Sequence, residues 1–311
     1  MERNTRGVVL TLIALIMLGL ATYSPAAAQK FSEWSPPVNL GPAINTQSWD
    51  FAPAISKKGL SLYIASNRPG GSGGYDIWVS QRATLDDPWG PPVNLGPNIN
   101  TGYGDSTPNV SRDGHWMFFA SNRPGGFGNY DIWGSWRTHT DDDFGWQLPV
   151  NLGAGVNSAA LEYTPHYFEN EDVGIPELFL MSNQPGGLGG NDIYVSARAS
   201  NGSFDPAVLV RELSSSQEDG GPSLRHDGRE IFIESNRPGG VGGRDLWVST
   251  RETTLHAWTT PVNLTAVNSV GEEARSAMSS DGLTLFFASY RPGVIGGLDL
   301  YMTVRTKLRG Q

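Results

Sequence analysis

The sequence predicts an all-β protein, a five-bladed β-propeller of four-stranded antiparallel blades, and three observations carry that prediction. The segment Asn-Arg-Pro-Gly-Gly, a short spacer, and an Asp leading into an apolar strand recurs from Asn67, Asn122, Asn183 (with Gln for Arg), Asn236 and, in a worn form, Tyr290. Successive copies begin 55, 61, 53 and 54 residues apart, a spacing of propeller blades rather than of helical or leucine-rich repeats. The 39 Gly and 21 Pro suit many short strands joined by tight turns.

The repeats follow a leader. Arg3 and Arg6 precede an apolar run, Val8 to Leu20, and the small residues Ala26-Ala27-Ala28, the pattern of a secretory signal peptide over residues 1–28. Cleavage after Ala28 leaves residues 29–311 as one propeller domain, exported to the periplasm or beyond. The apolar run is too short to span a bilayer, so no membrane insertion is expected after cleavage, and the domain is expected to act as a monomer. The chain has no Cys, which excludes disulfides and a lipid-modified N-terminus. With 31 acidic against 22 basic residues, nucleic acid is excluded as a partner.

Four strand candidates recur in each copy; the first set is Phe51–Ser56, Leu60–Ser66, Asp76–Arg82 and Trp89–Leu95. Strands one and two are joined by Asp-Gly turns such as Asp113-Gly114 and Asp281-Gly282, a strong hairpin signal. Strand two is almost wholly apolar, as in Trp116-Met117-Phe118-Phe119-Ala120, and should be buried on both faces. The outermost strand reads Trp-x-x-Pro-Val-Asn-Leu, from Trp34, Trp89, Trp146 and Trp258, with a degenerate copy from Phe204. The first of these precedes every repeat core, and the last core, near 273–305, has none after it. Residues 34–40 therefore complete the last blade and hide its open edge. The other blade cores lie near 50–95, 105–152, 162–210 and 219–264.

Ser-Asn-Arg-Pro-Gly-Gly followed by Asp-Ile-Trp-Val-Ser resembles the WD40-like PD40 repeats of TolB-type propellers. The resemblance spans nearly all of residues 29–311 and implies a bacterial envelope protein that binds or scaffolds. The separate N-terminal domain of TolB-like proteins and the C-terminal OmpA-like domain of others are not seen here, so the expectation is a stand-alone propeller.

Two polar loops of each blade should emerge on one face. One carries Asp50, Asp105, Glu162, Asp219 or Glu273; the other carries Arg68, Arg123, Gln184, Arg237 or Arg291, then glycines and Asp76, Asp131, Asp192, Asp245 or Asp299. Repeated in every blade, acid and arginine suit a charge-assisted network tying loops together. The alternative is a ligand-binding rim on the axis, where converging carboxylates would need arginines or a cation, and calcium suits such an oxygen-rich mouth. The glycines permit positive φ and close backbone approach; with no Lys-Ser/Thr and no helix following, they are not a phosphate loop.

Blade three departs most from the pattern. It has Gln184 for Arg, His166 where others carry Ala54, Asn109, Ser223 and Ala277, and an acidic insertion, Glu169 to Glu177. Trp49, Tyr75, Tyr103, Phe127 and Tyr130 supply rings that pack loops or stack on sugars. No catalytic motif is present, so the leading expectation is a non-enzymatic module binding an envelope protein or glycan. The alternative is a carbohydrate-active enzyme, glycosidase or lyase-like, for which Asp50, Asp105, Glu162 and His166 are the candidate residues.

Overall fold

The computed structural model describes residues 31–308; the signal-peptide expectation lies outside the described residues. A short strand β1 (Val38–Asn39) precedes blade one, formed by β2 (Asp50–Ile55), β3 (Ser61–Ser66), β4 (Asp76–Gln81) and β5 (Val93–Asn94). Blade two comprises β6 (Asp105–Val110), β7 (Trp116–Ser121), β8 (Asp131–Trp136) and β9 (Val150–Asn151). Blade three comprises β10 (Glu162–Phe168), β11 (Glu177–Ser182), β12 (Asp192–Ala197) and β13 (Val208–Leu209). Blade four contains β14 (Asp219–Leu224), β15 (Glu230–Ser235), β16 (Asp245–Thr250) and β17 (Val262–Asn263); blade five contains β18 (Glu273–Met278), β19 (Thr284–Ser289) and β20 (Asp299–Val304). The fifth sheet has the order β1-β20-β19-β18, with Val38 opposite Met302 and Asn39 opposite Tyr301. The N-terminal strand closes the ring, as the outer-strand count predicts.

Side chains of a strand alternate between two faces, and here the two faces belong to different cores. In β3, Leu62 and Ile64 pack toward Phe286 and Leu300 of blade five, while Tyr63 packs with Phe119 and Trp146 of blade two. The same interleaving recurs between blades two and three, three and four, and four and five. The middle of each central strand is therefore largely apolar on both faces, and each fully buried Leu, Ile or Phe contributes about 1.5–3 kcal/mol.

The outermost strands are shorter than the sequence suggests, two residues rather than the seven of Trp89–Leu95. Pro91 and Pro92 carry no N–H for the ladder. Side chains extend the pairing instead: Asn100 accepts from the Ile77 N–H at 2.8 Å and donates to the Ile77 carbonyl at 2.8 Å. Trp89 leaves the strand and stacks on Arg82, 4.3 Å from its guanidinium carbon.

The first strand of every blade carries a register shift, between Phe51 and Ala54 in blade one. Its cause is a left-handed residue, Ala52, Thr107, Thr164, Gly221 or Arg275, at φ of 48–56°, followed by Pro in four of the five blades. A proline cannot sit within a ladder and is tolerated at a bulge. The bulge sets these five residues along the central channel, whose walls they help form.

The acidic insertion of blade three lies at the strand-one/strand-two hairpin end and ties blades together. Glu171 pairs with Arg112 of blade two at 2.6 Å, and Asp172 accepts from Thr254, in the β16–β17 loop of blade four, at 2.9 Å.

Candidate functional site

The rim carboxylates are built into their own blades. In blade one, Asp50 Oδ1 accepts from Ser66 Oγ and Arg68 Nη2, both at 2.6 Å, and Oδ2 accepts from the Thr46 N–H at 2.6 Å and its hydroxyl at 2.8 Å. Arg68 also donates to the Ile44 carbonyl at 2.7 Å and lies over Trp78. Arg123 with Asp105, Arg237 with Asp219, and Arg291 with Glu273 repeat the pair at 2.7, 2.5 and 3.2 Å. Blade three lacks this rim pair: Glu162 is held by Ser158 and Ser182 hydroxyls at 2.7 and 2.9 Å, and the Gln184 N–H binds Ser182 Oγ. All five carboxylates are buried.

A calcium ion would need several carboxylate oxygens turned to one point. These oxygens instead accept hydrogen bonds within their own blades, and among the described residues no group of three or more His, Cys, Asp or Glu is placed to hold a metal. The donor set does not fit calcium at the channel mouth.

Glu162, Tyr163 and His166 do not form one cluster, because the bulge separates them along β10: Glu162 pairs with Ser182, and His166 with Phe179. His166 lies inside the channel, its Nε2 accepting the Leu224 N–H at 3.2 Å and its Nδ1 3.3 Å from Asn109 Nδ2. Burial lowers its pKa to about 4, so the ring is neutral at physiological pH.

The site that breaks five-fold symmetry lies at the channel mouth between blades three, four and five. The fifth residue of strand two is Ala65, Ala120, Met181, Glu234 or Ala288; only blade four puts a charge there. Glu234 pairs across the sheet with Gly220, where the other blades have Phe51, Ser106, Tyr163 and Ala274. A Cβ on Gly220 would collide with the Met181 sulfur, and one on Gly221 would stand 2.8 Å from Glu234 Oε2, so both glycines make room for these side chains.

Glu234 is 1% exposed. Its Oε1 accepts from Arg244 Nη1 at 3.1 Å and its Oε2 from the Arg275 N–H at 2.6 Å. The Glu234 charge raises the Arg244 pKa against the desolvation that opposes it, with Glu272 and Glu218 adding to the effect. Glu218 is half-buried and accepts from the Asn191 amide. These groups face Tyr130, Tyr163 and Met181 across a cavity of about 260 Å³. Tyr130 and Tyr163 meet edge to face at 5.2 Å. Burial, with smaller contributions from Tyr163, Tyr75 and Asp105, pushes the Tyr130 pKa up to about 12.

The mouth thus has an aromatic wall and a charged wall. Phe51 and Tyr75, in contact at 4.9 Å, extend the aromatic side around blade one, while Trp49, Tyr103 and Phe127 stand exposed on the loops outside it. Sequence reasoning weighted blade three and missed Glu234, Arg244 and Arg275. The signal was there: an acid at an Ala or Met position of an apolar strand, and an Arg where the other blades have Ala, Thr or Gly.

No protein-family model and no curated protein matches the chain. Among solved structures, an α-L-arabinofuranosidase from Lactobacillus brevis is similar at 14% identity and TM-score 0.60, over 86% of this chain and 93% of that one. A thermostable family-43 glycoside hydrolase matches at 15% identity and TM-score 0.57, over 88% and 94%. The catalytic domain of the Coprinopsis cinerea GH62 α-L-arabinofuranosidase matches at 14% and 0.56, over 88% and 97%. At these identities the likeness shows the fold. A TolB from Acinetobacter baumannii matches at TM-score 0.48, which adds no support to the PD40 resemblance. The comparison runs against the expectation of a non-enzymatic binding or scaffolding module, since the structures alike over nearly their whole length are glycoside hydrolases.

Proposed function

We propose that this protein is a carbohydrate-active enzyme that cleaves a glycan at the channel mouth. The observation that carries the reading is Glu234, a carboxylate unique to blade four, set beside Arg244 in a cavity with a second glutamate and two tyrosine rings. Glycoside cleavage needs one carboxylate that stays ionised, as nucleophile or base, and one that delivers a proton to the leaving oxygen. Glu234, paired with a guanidinium, suits the first role, and Glu218, half-buried at the edge of the cavity, suits the second. Tyr130 and Tyr163 offer ring faces and edges against which a pyranose or furanose packs. The glycosidase likeness contributes architectural precedent alone. Asp50, Asp105 and Glu162, bonded within their own blades, have no part in this reading.

The test is release of reducing ends from arabinan, arabinoxylan, β-1,3-galactan and uronate-containing glycans by residues 29–311. Glu234→Gln and Glu218→Gln should each lower the rate by about 100-fold or more in protein that still unfolds cooperatively above the assay temperature. No new reducing ends from any glycan, or full activity in Glu234→Gln, would refute the proposal.

A further inference from the structure

We infer that the glycan handled at this site is acidic, and that Arg275 reads a sugar carboxylate. The inference rests on the reading of the mouth as a glycan site and narrows its substrate class.

Arg275 occupies the bulge position that carries Ala52, Thr107, Thr164 and Gly221 in the other blades. Its side chain lies at the waist of the channel, forming part of both the mouth cavity and the deeper channel. Two aromatic rings hold it, with its guanidinium carbon 4.9 Å from the Phe51 ring centre and 5.6 Å from that of Tyr163. Its backbone N–H serves Glu234, but its guanidinium forms no ion pair with any carboxylate among the described residues, and its buried Nε has no acceptor.

Arg275 differs from the arginines that line the rim and the mouth. Arg68, Arg123, Arg237 and Arg291 each have a carboxylate, and Arg244 has Glu234. A buried donor without a partner carries a desolvation cost that an incoming acceptor removes. The acceptor that fits a guanidinium best is a carboxylate, through two parallel charge-assisted hydrogen bonds. A second unpartnered atom in the same cavity, the buried Asn191 Oδ1, is an acceptor and suits a sugar hydroxyl. Donor and acceptor together match a uronic acid residue, which carries a carboxylate and hydroxyls on one ring. The net charge of the chain, −9, repels a polyanion at long range, so this recognition must come from the local contact; added salt should weaken the repulsion more than the buried pair.

The experiment measures binding of uronic acid trimers, galacturonate, glucuronate and mannuronate, and of their carboxyl-reduced neutral counterparts, to residues 29–311 by calorimetry, with cleavage followed in parallel. At least one acidic trimer should bind at least 10-fold more tightly than its reduced form. Arg275→Met should erase that difference, and Arg275→Lys should keep part of it. Using the wild-type protein with paired ligands keeps the test decisive if a variant fails to fold. Equal affinity for acidic and reduced trimers, no binding of any acidic trimer, or an undiminished preference in folded Arg275→Met would overturn the inference. Cleavage of neutral glycans alone would overturn it while leaving the proposed activity standing, whereas loss of both binding and cleavage across all glycans would refute both.

Discussion

Asp143 offers the sharpest test of how neighbouring blades are locked. It lies in the loop between β8 and β9 of blade two, yet three of its four side-chain partners belong to blade one. Ser61 Oγ donates to it at 2.6 Å, Tyr63 OH at 2.5 Å and Gln81 Nε2 at 2.7 Å, with Arg137 Nη1 of its own blade at 2.9 Å. Asp143 is 4% exposed and Arg137 1%. Asp143→Ala removes the one counter-ion that buried Arg137 has among the described residues, and the acceptor of a buried phenol, a change that costs about 3–5 kcal/mol. Arg137 would keep its bonds to the Gly114 and Asp142 carbonyls and its place over Trp146, which favours the lower end, about 3 kcal/mol. That is a large share of the ~5–15 kcal/mol stability of a typical domain. The assay is urea unfolding at pH 7 for wild type, Asp143→Ala, Arg137→Met and the double variant. The double variant should lose less than the two single losses added together, because no unpaired charge remains. Burial raises the Asp143 pKa, but the donors outweigh it and the net shift is downward. The stability gained is thus present above pH ~4 and lost as pH falls through the lower folded value, so the gap between wild type and Asp143→Ala should close in acid. A loss below ~0.5 kcal/mol, within the range of neutral surface changes, would refute the account of the lock.

Two further outcomes follow from departures in blade three. Gln184→Arg should restore the missing ion pair with Glu162, in the geometry that Arg291 and Glu273 show at 3.2 Å, and raise stability by roughly 1 kcal/mol; an unchanged or lower urea midpoint would show that the repeated pair adds nothing. His166, with its pKa held near 4 by burial, stays neutral in the fold while the unfolded chain takes up a proton near pH 6.5. Its contribution is intact above pH ~6.5 and falls away toward pH 4, by about 3 kcal/mol at most. His166→Asn should flatten the wild-type pH dependence in that window, and identical slopes would exclude the histidine as its source.

The sequence by itself determined the ring. Strand count, hairpin ends, two-faced central strands and closure by residues 34–40 all follow from local rules, the period of the repeat, Asp-Gly turns and alternating burial, applied five times over. The repeated acid and arginine were legible as a pair because each rung is made within one blade and its adjoining loops. Tertiary structure alone decided the site. Glu234 and Gly220 face one another only through the β14–β15 pairing, Arg275 reaches the axis only because a bulge turns its strand, and Tyr130 and Tyr163 arrive from two other blades. No spacing along the chain encodes which side chains meet at the axis of a ring, since that depends on how the blades pack and twist together. For the same reason Glu162, bonded within its own blade, and His166, four residues on and inside the channel, share no site, and Asp143 finds its partners in blade one some sixty to eighty residues upstream.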